Sequence, residues 1–177
     1  LPLAAAPDIH RRYDLPPIYD VAFVGSTAAA HKRTSSRLRR LQLISSRYKT
    51  NDVFAPTPAS EVGRIYSQAR IVMNTSIAGD VTMRDFEATA SGAMLLTDSA
   101  ANGLADLFAL DKEVVVFGDD QEMLDKIDYY LAHEPERQAI ADTGYVRAHA
   151  QHTYQHRVQQ ILAAAQTPGM RKVAPMR

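Results

Sequence analysis

Short apolar runs alternate with helical stretches along almost the whole chain, and this alternation narrows its possible folds more than any other feature. Five segments read as buried strands: Tyr19 to Gly25, Asp52 to Ala55, Arg70 to Ser76, Ala93 to Thr97 and Glu113 to Phe117. Their apolar residues are continuous rather than alternating, the pattern of strands covered on both faces. Helices are expected from Lys32 to Tyr48 (Leu38, Leu41 and Ile44 recurring) and from Glu61 to Ala69, with Ser60 as N-cap and Val62, Ile65 and Tyr66 inward. Further helices are expected from Thr82 to Ser91, stopped by Gly92, from Gly103 to Phe108, and over Gln121–Ala132, Pro135–His149 and His152–Ala164. Asp119-Asp120 reads as a cap. The expected fold is α/β, a Rossmann-like parallel sheet of about five strands with helices on both faces. Ligands of such sheets sit beyond the carboxyl ends of the strands, where strand order reverses. The loops after Gly25, Ala55, Ser76, Thr97 and Phe117 are therefore the candidate functional surface.

Length and composition bound the function. The 177 residues suit one domain, and 20 basic against 20 acidic residues give no bulk reason for a nucleic-acid or membrane-surface partner. No apolar run approaches the roughly 20 residues of a membrane span. The absence of cysteine removes disulfides and thiolate metal sites and suits a reducing, cytoplasmic setting. The opening Leu1-Pro2-Leu3 has neither initiator Met nor a basic signal segment, so a fragment of a longer chain is expected. The expected division is an extended lead-in over residues 1–18, the domain over 19–165, and a basic flexible tail over 166–177.

The most informative segment is Gly79 to Gly92, which joins a strand end to a helix start, where backbone N–H groups and the helix dipole favour an anion. Glu87 lies one turn in, among small or apolar neighbours, and two vicinal ribose hydroxyls would supply it with two charge-assisted hydrogen bonds. A solvated face, or pairing with Arg84 three residues earlier, is the competing reading. Arg84 opposes the helix dipole, which points to a bound anion or to Asp80 and Asp85 beside it.

Met83-Arg84-Asp85-Phe86-Glu87-Ala88-Thr89-Ala90-Ser91-Gly92-Ala93-Met94-Leu95-Leu96-Thr97-Asp98 resembles the donor-site helix and following strand of group 1 glycosyltransferases of GT-B fold, most closely a spore-maturation-protein-like subfamily. Tyr19 to Ser26, Tyr66 to Asn74 and His152 to Arg157 resemble the same family in the same order. The resemblance implies the C-terminal half of a GT-B enzyme. Such an enzyme transfers a sugar from a nucleoside-diphosphate sugar without a metal or other cofactor. It implies that Glu87 grips the ribose, that Gly25, Ser26, Thr82 and Thr57 belong to the donor site, and that the Ala55-Pro56-Thr57-Pro58 loop borders the base and reads it through backbone groups. Cations after the first strand, here Arg33 in His31-Lys32-Arg33, would reach the diphosphate. Many relatives carry a second Glu eight residues before the first, on the donor sugar; here that position is Gly79, and Asp80 is its candidate substitute. A preceding N-terminal domain of the same longer chain would bind the acceptor, and the present piece alone would be inactive.

Other residues carry blander expectations. Arg37, Arg39, Arg40 and Arg47 read as a solvated basic face. His152 and His156 have metal-ligand spacing without a third ligand, so a structural anchor with Thr153, Tyr154 and Arg157 is the simpler reading. His10 and His149 read as surface or packing residues. No P-loop, intact G-x-G-x-x-G or Ser-His-Asp order is present. The alternatives are a non-catalytic nucleotide-sugar-binding or assembly module and a nucleotide-sugar epimerase on the same fold.

Overall fold

The computed structural model describes residues 1–26, 35–76, 79–98 and 103–166. Arg33 and the rest of the His31-Lys32-Arg33 cluster lie outside them. Four strands, β1 (Tyr19–Ala22), β2 (Ala69–Asn74), β3 (Met94–Thr97) and β4 (Val115–Val116), form one sheet in that order. All pairings are parallel, with Val21 opposite Ile71, Ile71 opposite Met94 and Leu96 opposite Val115. The helices are α1 (Ser35–Arg47), α2 (Ala59–Ser67), α3 (Met83–Ala90), α4 (Asp120–Ala132), α5 (Glu134–Gln151) and α6 (Tyr154–Gln166), with a 3-10 turn at Leu104–Asp106. Of the expected tail, Gln166 closes α6 and the remainder lies outside the described residues.

The sheet has four strands rather than about five because the segment expected at Asp52 to Ala55 turns instead of extending. One Asp52 carboxylate oxygen accepts the N–H groups of both Phe54 and Ala55, each at 3.2 Å, and this closes a turn. What survives of the missing strand is a parallel bridge from Thr50 to Val21, with Asp20 N–H donating to the Lys49 carbonyl at 2.8 Å. The Asn51 side chain extends this edge. Its Oδ1 accepts the Phe23 N–H at 3.0 Å and its Nδ2 donates to the Phe23 carbonyl at 2.9 Å, as a strand residue would. Thr50 flanks β1 on the side away from β2, so the chain passes to one side of β1 and then to the other. The reversal of strand order falls at the end of β1.

Strand side chains alternate between two cores. Val21, Phe23, Ile71, Met73, Met94, Leu96 and Val115 pack on one face with Leu41 and Ile44 of α1 and Met123 and Ile127 of α4. Ala22, Val72 and Leu95 pack on the other with Val62 and Tyr66 of α2, Phe86 and Ala90 of α3, and Ala148 of α5. Three local expectations shift. Ser60 falls inside α2, which Pro58 opens, and Leu38 is only half-buried while Arg37 is buried. The Tyr154 side chain is exposed, so the buried Thr153, which bridges to Ala5, anchors α6 together with Arg157 and His152. Arg157 donates to the Leu3 and Gln151 carbonyls and to His152 Nδ1, and the far side of the His152 ring meets the Leu107 carbonyl at 2.9 Å. Asp119 caps α4 by accepting the Glu122 N–H at 2.9 Å, and Gly92 ends α3 with φ 82°.

The first eighteen residues contain no helix or regular strand and run against the domain. Ala4 and Ala5 are fully buried, and Ala5 exchanges backbone hydrogen bonds with His152 and Tyr154. Ile9 crosses α2 at Gly63, where an added Cβ would lie 2.0 Å from the Ile9 carbonyl oxygen. This close approach needs glycine.

Asn51 is buried, so Asn51→Ala would strand two buried backbone groups of Phe23. Urea unfolding is expected to report a loss of about 2–3 kcal/mol. A loss below about 0.5 kcal/mol would show that Asn51 does not hold this edge.

Candidate functional site

The carboxyl end of β1 continues as Phe23-Val24-Gly25-Ser26, and two guanidinium groups converge on it. Arg84 of α3 donates through Nε (2.9 Å) and Nη2 (2.5 Å) to the Val24 carbonyl and through Nη1 to Asn74 Oδ1. Its Cζ lies 4.1 Å from the centre of the Phe23 ring, a cation–π contact. Gly25 makes room, for an added Cβ would lie 2.1 Å from Arg84 Nη2. Arg37 of α1, 6% exposed, donates through Nε (3.0 Å) and Nη2 (2.6 Å) to the Thr75 carbonyl and through Nη1 (3.1 Å) to the Ser26 carbonyl. Its Cζ lies 5.9 Å from the same Phe23 ring.

Neither cation has a carboxylate partner among the described residues; both rest on neutral oxygens. Burial pushes the Arg37 pKa down, the Arg84 charge adds to this, and Asp98 partly opposes it. Each guanidinium has five N–H donors, of which three are engaged among the described residues. Arg40, one turn along α1, is treated differently. It meets Asp98 at 2.5 Å and Asp120 at 2.8 Å, and Asp98 also accepts the Ser76 N–H at 2.7 Å. Arg39 is largely exposed and pairs with Asp120. The solvated face expected of these arginines therefore splits. Arg37 and Arg40 turn inward because they stand four residues before Leu41 and Ile44 respectively, on the buried face of the helix. That spacing was the signal in the sequence, obscured by the charge of the residues.

The start of α3 is already occupied. Thr82 N–H donates to Asp85 Oδ2 at 2.7 Å in a capping box, and the Thr82 hydroxyl also accepts from Asn74 Nδ2 at 3.1 Å. Burial raises the Asp85 pKa, while hydrogen bonds from Thr82, Asn74 and Thr97 oppose the rise. The protein's own carboxylate thus serves the helix tip that was expected to be free for an anion. Gly79 has φ 75° and donates to Ser76 Oγ at 2.8 Å, and Asp80 beside it is exposed.

Glu87 is neither solvated nor within ion-pair distance of Arg84; its side chain is 14% exposed and faces His10, with 3.5 Å between Oε1 and Nε2. The Ala6 N–H donates to His10 Nδ1 at 3.1 Å, so the neutral ring carries its proton on Nε2, towards the carboxylate. Burial pushes His10 down to about 4. Burial raises the Glu87 pKa, with the Arg84 charge opposing. The fully buried Tyr66 senses both charges and places its hydroxyl 3.4 Å from the Val24 carbonyl, which ties Glu87, Arg84 and the strand end into one electrostatic neighbourhood.

On the other side of the strand end lies an open cavity of about 530 Å³ between Val24-Gly25-Ser26 and the Phe54-to-Thr57 loop. Gly25, Ser26 and Thr57 thus meet in one cavity, Arg84 adjoins it at Gly25, and Glu87 and Asp80 do not line it. Among the described residues, no three His, Asp or Glu side chains are grouped to hold a metal ion, and no helix is long and apolar enough to cross a membrane.

A carboxyl group whose pKa is raised by folding destabilises the fold once it ionises. Glu87→Gln is therefore expected to match the parent in acid and to become the more stable protein as pH rises through and above the ordinary carboxylate range. Thermal unfolding between roughly pH 3.5 and 8 tests this, and a variant less stable than the parent at neutral pH contradicts it. His10 gives the parent a second signature. With its pKa lowered from 6.5 to about 4, stability falls as pH drops through that interval, because the unfolded chain binds the proton first. His10→Asn should flatten this acid limb.

A glycosyl transferase-like family matches residues 24–163. Among solved structures, the chain is similar to sucrose-phosphate synthase from Thermosynechococcus elongatus, with TM-score 0.67 and 15% identity over 93% of this chain and 52% of that one. It is also similar to the C-terminal domain of a glycosyl transferase group 1 family protein from Francisella tularensis, with TM-score 0.62 and 14% identity over 83% of this chain and 97% of that domain. A third similar structure is a DNA-modifying β-glucosyltransferase whose substrate is uridine diphosphoglucose, with TM-score 0.66 and 15% identity over 89% of this chain and 54% of that one. The chain thus spans about half the length of the first and third. No curated protein matches the chain by sequence.

Proposed function

Because this chain belongs to the glycosyl transferase-like family and has the Rossmann-like fold of GT-B glycosyltransferases, we propose that it is the donor-binding half of such an enzyme. It holds a nucleoside-diphosphate sugar at the end of β1. A preceding domain of the same longer, cytoplasmic protein binds the acceptor, and this half alone does not turn over. The spore-maturation-protein-like subfamily is the branch to which we assign it.

The observation that carries the proposal is the pair of buried guanidinium groups, Arg37 and Arg84, held on neutral oxygens. Burying cations with no carboxylate in ion-pair contact among the described residues is costly, and a diphosphate would supply that contact to both. Gly25 and Ser26 let phosphate oxygens approach the backbone, with Arg33 as a further cation. Glu87 takes the two ribose hydroxyls after His10 gives way, and Thr57 borders the base. Thr82 holds the α3 tip at the site, and Asp80 faces the sugar. In transfer, the bond from the anomeric carbon to the diphosphate oxygen breaks, and the electron pair leaves on the nucleoside diphosphate. The acceptor oxygen forms the new bond and loses its proton to a base outside this chain. The guanidinium groups stabilise the departing charge without a metal.

One observation favours a second reading. Gly79 stands in left-handed backbone, which L side chains rarely adopt, so its loop is built for glycine and not for the carboxylate of many relatives. A nucleotide-binding module without transferase activity would fit this loop, and product analysis of the full-length protein separates the two.

Calorimetry with UDP, GDP and ADP tests the binding claim. At least one should bind saturably to the parent. Arg37→Met, Arg84→Met and Glu87→Ala should each weaken it by about ten- to hundredfold, the loss of one or two hydrogen bonds to charge. Arg39→Ala should bind as the parent does. Equal affinity in all four variants removes the assignment.

A further inference from the structure

A second cavity, of about 440 Å³, opens at the opposite end of the sheet, where β1 and β2 begin. We propose that it binds a small phosphorylated molecule that also carries hydroxyl groups, with the phosphate held among Arg12, Arg70 and Arg137. This site is separate from the donor site and is tested without a nucleotide. The three arginines come from three elements, the lead-in, the start of β2 and the start of α5, and all line the cavity. Small residues between them, Ala69, Gly92 and Ala141, leave the space open. The volume is within the usual range of ligand sites and exceeds what inorganic phosphate alone needs.

Arg137 most needs an anion. Its side chain is 5% exposed, and among the described residues it donates to the Tyr130 carbonyl at 2.8 Å and meets Glu134 at 3.5 Å. Glu134 is itself 77% exposed, so water screens that pair. Burial pushes the Arg137 pKa down; Glu134 and Asp20 oppose this, and the Arg70 charge adds to it. Arg70 pairs with Asp20 at 3.1 Å and Arg12 with Asp142 at 2.6 Å, both pairs partly in water. Gly92 makes room for Arg12, since an added Cβ would lie 2.4 Å from its Nε. Cations that repel one another across a cavity are answered together by a dianion, whereas a monocarboxylate answers one. A phosphate monoester is such a group at neutral pH. The carboxylates that line the cavity, Asp14 and Glu134, are exposed and so face its solvent side. They accept hydrogen bonds from hydroxyl groups and repel a ligand that is anionic throughout. A phosphate at one end and hydroxyls at the other match this lining.

Amide NMR titration of the isotope-labelled protein tests the site, with ribose 5-phosphate, inorganic phosphate and ribose as probes. Ribose 5-phosphate is expected to move the amide signals of Arg12, Asp14, Arg70, Gly92 and Arg137 saturably. Inorganic phosphate should move the same signals with weaker affinity, and ribose should move none. Arg70 is a partly exposed residue, so Arg70→Met should keep the fold and bind ribose 5-phosphate about ten- to hundredfold more weakly, the loss of one hydrogen bond to charge. Arg39→Ala, which removes an exposed guanidinium elsewhere, should bind it as the parent does. Signals at these five residues that do not move, or Arg70→Met equal in affinity to the parent, overturn the proposal. Equal affinity for ribose 5-phosphate and inorganic phosphate overturns the hydroxyl-bearing ligand class.

Discussion

A buried cation must have its charge answered, and at the end of β1 two of them lie against one phenylalanine ring where, among the described residues, carbonyl and amide oxygens accept their hydrogen bonds. Much of the surrounding structure serves this arrangement. Gly25 has no side chain because Arg84 occupies that space. Asn74, the last residue of β2, divides its side chain between Arg84 and the Asp85 cap, which couples the cation to the start of α3. Helix α1 carries the contrast within itself. Arg40 is neutralised by Asp98 and Asp120, while Arg37, three residues earlier, is not. Among the described residues, the fold sets carboxylates in direct contact with Arg40 but leaves the two cations nearest the strand-order reversal only the longer-range influence of Asp98 on Arg37 and of Asp85 and Glu87 on Arg84.

Glu87 tells the same story from the opposite charge. It is held largely out of water beside a neutral imidazole, so its ionised form is disfavoured in the ligand-free protein. A carboxylate kept at a cost to stability fits the binding role proposed for Glu87. The segment that covers it, around His10, is seated by the close approach of Ile9 to Gly63, so the lead-in belongs to the electrostatics of the site.

The parallel sheet was legible because continuous apolar runs such as Ile71-Val72-Met73 and Met94-Leu95-Leu96 have no other comfortable place in a chain of this size. The cap at Asp119 and the stop at Gly92 were legible from local chemistry. The missing strand was not, because Val53 and Phe54 look like strand residues and the Asp52 carboxylate, acting on their backbone, decides otherwise. Glu87 and Arg84 were singled out by a motif, but their partners were not visible. His10 comes from 77 positions away and the Val24 carbonyl from 60, distances over which spacing carries no information. Arg37 was hidden by the habit of assigning arginine to water, although its spacing to Leu41 and Ile44 marked the buried face.

The most direct measurement is a crystal structure of this chain grown with a nucleoside diphosphate that it binds. The account predicts phosphate oxygens on the guanidinium groups of Arg37 and Arg84, with the ribose hydroxyls on Glu87. A bound diphosphate that touches neither guanidinium would contradict it.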